Sequence, residues 1–164
     1  MKNKDALLEF KQYLIVEKNA SERTIENYIR DVQAFFNYIE ANHQIDQIDD
    51  IHKEHIRFYL KTLFHLSAST VSRKMVSLRS FYKYLLKEEI IERNPMESFD
   101  LPKSQKKLPT VLSKQEVNIL LNSIEMNDFI SARNRAMLEL LYATGIRVSE
   151  LVSLTIYQLN LKMK

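Results

Sequence analysis

Arg147 and Glu150 stand just past Gly145, the only glycine in the 164-residue chain. A guanidinium offers a planar fork of N–H donors that matches a phosphate. Glu150, three residues on, can share a helix face with Arg147 and hold that fork in place. The apolar pattern Met137, Leu138, Leu140, Leu141 and Tyr142 predicts a helix running up to the glycine. Gly145 then ends it in a left-handed turn, which glycine adopts at little cost. Val148 to Val152 predicts a second helix, with Arg147 at its start. Free backbone N–H groups and the positive end of the helix dipole favour an anion there. Two readings of this turn stand open. It is a phosphate site, or it is a tight helix–helix turn whose arginine simply pairs with Glu150.

A second set of residues points to a polyanion. Between Glu54 and Glu88 there is no acidic residue, while Arg57, Lys61, Arg73, Lys74, Arg79, Lys83 and Lys87 all lie there. A further acid-free interval, Leu101 to Gln115, carries Lys103, Lys106, Lys107 and Lys114. A helix is expected from about Thr70 to Lys87. At ~100° per residue, Val71, Met75, Leu78, Tyr82 and Leu85 fall in one arc. Arg73, Arg79, Lys83 and Lys87 fall in the arc beside it. One face packs and its neighbour is cationic, as a helix lying against nucleic acid requires. Ser67, Ser69 and Thr70 add hydroxyls near its start. The candidate DNA contacts are thus Thr70, Arg73, Lys74, Arg79, Lys83, Lys87, Lys103, Lys106 and Lys107. The competing reading is a solvated charged face, which is common.

The rest of the chain supplies the scaffold. Leu7, Phe10 and Leu14 predict a first helix within residues 4–16. Ser21 caps a long amphipathic second one carrying Ile25, Tyr28, Val32, Phe35, Phe36 and Ile39, ending near Asn42. A polar loop, Gln44 to Asp50, precedes a third helix marked by Ile56, Tyr59, Leu60 and Leu63. All three prolines lie between Asn94 and Pro109, which reads as an extended linker. Ser113-Lys114-Gln115-Glu116 is a capping box opening another helix through Ile124. A break at 126–128 follows, then the helix from Ser131 to Gly145. Residues 154–161 are expected to start a strand or a loop. The division expected is a helical DNA-binding unit over 1–93, a basic linker over 94–112 and a second unit over 113–164. The fold class is all-α, and the first ~100 residues suit a self-contained four-helix unit.

Composition narrows the chemistry. There is no cysteine, hence no disulfide frame and no thiolate zinc site. No apolar run approaches the ~20 residues of a membrane span. Net charge is only +3, so the distribution of cations says more than their excess. His52 and His55, three apart, are either a metal pair or two exposed polar side chains at a helix start. Tyr28, Tyr82 and Tyr142 sit on apolar stripes and are expected in the core, hydroxyls at its edge.

Leu140-Leu141-Tyr142-Ala143-Thr144-Gly145-Ile146-Arg147-Val148-Ser149-Glu150-Leu151 resembles the segment around the first catalytic arginine of Xer-type tyrosine recombinases. Ser21-Glu22-Arg23-Thr24 with Tyr28 and Asp31 is similar to the start of the second helix of that family's core-binding domain. Leu66 to Lys74 with Leu78-Arg79-Ser80-Phe81-Tyr82 is similar to its DNA-facing helix. Asn94-Pro95, Leu101-Pro102-Lys103 and Leu112-Ser113 also match in order.

The resemblance implies a four-helix, SAM-like core-binding domain followed by the mainly helical start of a catalytic domain, the two clamping duplex DNA. It implies a tyrosine that attacks the scissile phosphate, with preorganised cations stabilising the developing charge. Of that catalytic set it carries over Arg147 alone, with Glu150 as its companion. None of the four histidines has an arginine three residues later. Tyr157 is out of place for the nucleophile. The chain is therefore expected to be the N-terminal piece of a recombinase, inactive alone, working in the cytoplasm. Expected partners are double-stranded DNA and a second recombinase protomer, with no cofactor, metal or membrane. An alternative from another class is a regulator that pairs with a full-length recombinase. A third is a helical interaction module with no DNA role.

Overall fold

The computed structural model describes residues 1–102 and 110–158. The chain forms two compact units, 1–106 and 107–164. Among the described residues there is no strand; one isolated antiparallel bridge joins Lys2 and Gln47.

The first unit is built from α1 (Asn3–Val16), α2 (Glu22–His43), α3 (Lys53–Thr62) and α4 (Ala68–Lys87), with a 3₁₀ turn at Ile48–Asp50. The caps fix the ends. The Ser21 hydroxyl accepts from the Thr24 N–H at 3.4 Å, and that of Ser67 from the Thr70 N–H at 3.2 Å. Ser67 thus starts α4 two residues before the expected Thr70. Gln44 ends α2 in the left-handed conformation, with φ 57°.

The core is aromatic. Phe10, Phe35 and Phe81 are fully buried, with Ile39, Ile56, Leu78 and Leu85 beside them. α2 packs against α1, α3 and α4, and the buried face of α4 is wider than its apolar stripe. Besides Met75, Leu78, Tyr82 and Leu85 it buries Ser77, Phe81 and Tyr84, leaving Val71 only partly covered. α4 packs against α2 and α1.

The linker expected over 94–112 starts as part of this unit. Met96 has no exposed surface, and Phe99 and Leu101 pack on the core. Arg79 donates to the Phe99 carbonyl and ties this stretch to α4. Pro95 and Pro102, which read as linker punctuation, lie in irregular chain that still runs along the core.

The second unit contains α5 (Lys114–Asn122), α6 (Phe129–Thr144) and α7 (Val148–Val152), then a 3₁₀ turn at Ile156–Gln158 where a strand or loop was expected. Ser113 and Glu116 form the expected capping box. Asp128 caps α6, which begins at Phe129, before the expected Ser131. Among the described residues of this unit only Leu151 is buried. Leu138, Leu141 and Leu154 are half-buried. Tyr142, expected in the core, is 56% exposed.

Candidate nucleic-acid interface

In the first unit the cations of α4 divide into two groups. Lys83 is exposed and has no ion-pair partner among the described residues. Ser69 and Val76 are exposed and Ser72 half-buried; at ~100° per residue these positions share the outer arc of the helix with Lys83 and Arg79. Lys87, at the last turn, meets Glu17 of α1 at 2.5 Å and lies 5.1 Å from the Tyr13 ring. The Thr70 hydroxyl is engaged with that of Ser67 at 2.9 Å, inside the cap.

Arg73 and Lys74 both reach a buried carboxylate, Arg73 with its side chain 40% exposed and Lys74 with 18%. Asp31 of α2 is buried to 1% exposure, with its carboxylate fully enclosed. Arg73 donates to Asp31 Oδ2 through Nη1, the Lys74 ammonium lies 3.4 Å from Oδ1, and the Ser77 hydroxyl donates to Oδ2 at 2.9 Å. Tyr59 of α3 lies near this group, and its phenol is pushed up to about 12, first by burial and then by the Asp31 charge. A buried carboxylate must be paired, and two cations with a hydroxyl do so here. The sequence places Asp31 within a helix pattern and Arg73 on a cationic arc, 42 positions apart. Their pairing is a tertiary event that no local spacing announces.

Arg57 and Lys61 on α3 are two further exposed cations, one helical turn apart. They lie in the acid-free interval, the one signal by which the sequence marks them. Lys103, Lys106 and Lys107 lie outside the described residues.

In the second unit Gly145 adopts φ 67°, and its N–H donates to the Leu141 carbonyl at 2.9 Å, ending α6 as expected. A Cβ at Gly145 would meet nothing within 4 Å, so only backbone strain opposes a side chain there. Gly145→Ala is expected to lower the stability of the α6–α7 turn by about 1 kcal/mol. A urea melt of that unit checks this, and Gly145→Asn should cost less than Ala.

Arg147 caps α7. Glu150 accepts from the Arg147 backbone N–H at 2.8 Å and from its Nη1 at 3.0 Å. The ion pair expected on geometry is therefore formed, yet the Arg147 side chain is 82% exposed. An exposed pair is worth ~0–1 kcal/mol, so it orients the guanidinium while leaving it open to solvent. α7 has only five residues, so its dipole is short and an anion here depends on the arginine.

His43, His52 and His55 cluster beside the start of α3. The His55 Nδ1 accepts from the His52 backbone N–H at 3.0 Å, and the His43 and His55 rings lie 4.9 Å apart. Among the described residues no group of three or more potential ligands is placed to hold a metal ion. His55 titrates below its usual value, first through burial and then through the charges of His43 and His52, with Glu54 opposing. The fold therefore favours neutral His55, and the unfolded chain binds the proton more readily. That contribution is present above about pH 6.5 and is lost as pH falls below it. The melting temperature of the first unit should drop between about pH 7.5 and 5.5, and His55→Leu should flatten the drop.

No helix among the described residues is long and apolar enough to cross a membrane. The family model for the phage integrase N-terminal SAM-like domain matches residues 7–89, and that for the phage integrase family matches 110–164. A tyrosine recombinase XerC of Anoxybacillus flavithermus is 45% identical over 143 residues, covering 86% of this chain and 47% of that protein. A tyrosine recombinase XerD of Oceanobacillus iheyensis is 40% identical over 160 residues, covering 96% of this chain and 54% of that protein. The chain thus spans about half the length of the curated relatives it matches. An integrase from mycobacterium phage Brujita shares the fold with a TM-score of 0.56 at 21% identity, over 88% of this chain and 46% of that one.

Proposed function

This chain belongs to the phage integrase family, and on that basis we propose that it acts as the DNA-binding half of a site-specific tyrosine recombinase, working in the cytoplasm on duplex DNA. The observation that carries this reading is the outer face of α4. Among the described residues Lys83 has no ion-pair partner there, Arg79, exposed Ser69 and half-buried Ser72 share its arc, and α4 contains no acid. Helix α4 is rigidly held, because most of its other face is core. Rigid cations on one face suit a phosphate backbone without any base-reading device.

Arg147 is the residue of this chain that would touch the reacting phosphate. Held by Glu150 and open to solvent, it supplies fixed positive charge where negative charge develops. The tyrosine, the second arginine and the lysine of that chemistry have no counterpart in these residues. Alone, the chain should bind duplex DNA.

Fluorescence anisotropy with a mixed-sequence duplex of about 30 base pairs across a salt series tests the reading. Binding should weaken steeply with salt, with a slope worth several phosphates. Absence of binding at low salt contradicts it.

A second reading has its own observation. In the second unit Phe129 is 82%, Ile119 69%, Val152 69% and Tyr157 96% exposed. Apolar surface of this kind favours a protein partner, such as a second recombinase protomer. Co-purification with a full-length recombinase in the absence of DNA would bring this reading forward.

A further inference from the structure

The Asp31 group has no role in the reading above. Its carboxylate has no exposed surface, yet it receives three donors from one helix: Arg73, Lys74 and Ser77. The two cations differ. The Lys74 side chain is 18% exposed, while that of Arg73 is 40% exposed. Arg73 uses one nitrogen, Nη1, on Asp31, and among the described residues the rest of its fork has no partner. An arginine gripped by one edge and open on the other is poised for a second anion, since its five donors can serve two acceptors at once.

We propose that Asp31 is a positioning residue for DNA binding: it anchors one edge of the Arg73 guanidinium and neutralises Lys74, so that Arg73 meets a backbone phosphate already oriented. This rests on the proposal that the first unit binds duplex DNA. The gain is entropic, because a long side chain fixed before binding does not have to be fixed by it. Charge alone argues the opposite way. A carboxylate beside the interface repels phosphate, so a purely Coulombic Asp31 would weaken binding. The sign of the effect therefore separates the two.

The test uses the full chain and a mixed-sequence duplex of about 30 base pairs, with Asp31→Asn, Arg73→Gln and the double variant compared across salt. Asp31→Asn keeps the size of the side chain and leaves Arg73 its charge. It should weaken binding about fivefold with an unchanged salt slope, the mark of lost orientation rather than lost contact. Arg73→Gln should weaken binding and reduce the slope by about one. The double variant should be no weaker than Arg73→Gln, since Asp31 acts only through Arg73. Tighter binding by Asp31→Asn, or additive losses, overturns the proposal. Unchanged binding by Asp31→Asn does so as well.

A second readout needs no variant. In the free wild-type chain, nitrogen NMR should show hindered rotation of the Arg73 guanidinium; free rotation contradicts the anchor. If Asp31→Asn does not fold, that spectrum and Ser77→Ala, expected to weaken binding less than twofold at constant slope, decide the question. A slope change in Ser77→Ala would count against positioning. Should the wild-type chain fail to bind duplex at all while its Arg73 fork is hindered, the DNA reading fails and the anchor remains as a structural contact.

Discussion

Phe81→Ala should destabilise the first unit by about 3–5 kcal/mol. Phe81 is fully buried on α4. Its ring meets those of Phe10 at 5.3 Å, Phe36 at 5.5 Å and Tyr82 at 5.3 Å, each edge to face. These three rings come from α1, α2 and α4, so one side chain joins three of the four helices. Deleting it leaves a cavity that rigid helices close poorly. A unit of this size has about 5–15 kcal/mol in total, so most of its margin goes. Urea unfolding followed by circular dichroism measures the loss. Phe129→Ala serves as the control. Phe129 is 82% exposed, and its removal should shift the curve by less than about 0.5 kcal/mol. A Phe81→Ala effect of that same size would mean the three helices do not share this core.

The second large effect is a contrast between two charge reversals on one helix. Arg73→Glu sets a new carboxylate against buried Asp31 and leaves Lys74 as its single cation. Breaking a buried ion pair costs about 3–5 kcal/mol; with Arg73 40% exposed, water relieves part of this, and about 2–3 kcal/mol is expected. Lys83→Glu touches nothing in the fold and should stay within about 0.5 kcal/mol of the wild type. Its DNA affinity, however, should fall about tenfold, with the salt slope smaller by about one. Loss of binding by Arg73→Glu is thus an ambiguous sign of DNA contact, because the helix packing suffers too. The same caution holds for Arg79, which carries the Phe99 carbonyl. Lys83 is the clean probe. A Lys83→Glu chain that binds as well as the wild type would remove α4's outer face from the interface.

What the sequence conveys and what it withholds follow from the range of the forces. Ser21 and Ser113 announce helix starts because capping bonds reach only three residues. Gly145 announces a helix end because its φ of 67° is a local demand. The core stripes of α1 and α2 are legible for the same reason, through a repeat of three and four. Phe81 and Ser77 are not legible because α4 packs against both α2 and α1, which widens its buried face beyond one apolar arc. Tyr142 shows the converse. Periodicity identifies an apolar face, but whether it is buried depends on other elements, and Tyr142 is 56% exposed. In the candidate site, the Arg147–Glu150 pair spans three residues and was readable, whereas Asp31–Arg73 joins α2 to α4. Charge patterning alone put Arg73 and Lys74 beside Lys83 as equals; burial separates them.

The most direct test of the account is amide chemical-shift mapping of the labelled chain on titration with duplex DNA. The account predicts the largest changes along the outer arc of α4, at Ser69, Ser72, Val76 and Lys83, fading as salt is raised. Changes confined to α1 or to the second unit, with α4 unmoved at saturating DNA, would contradict it.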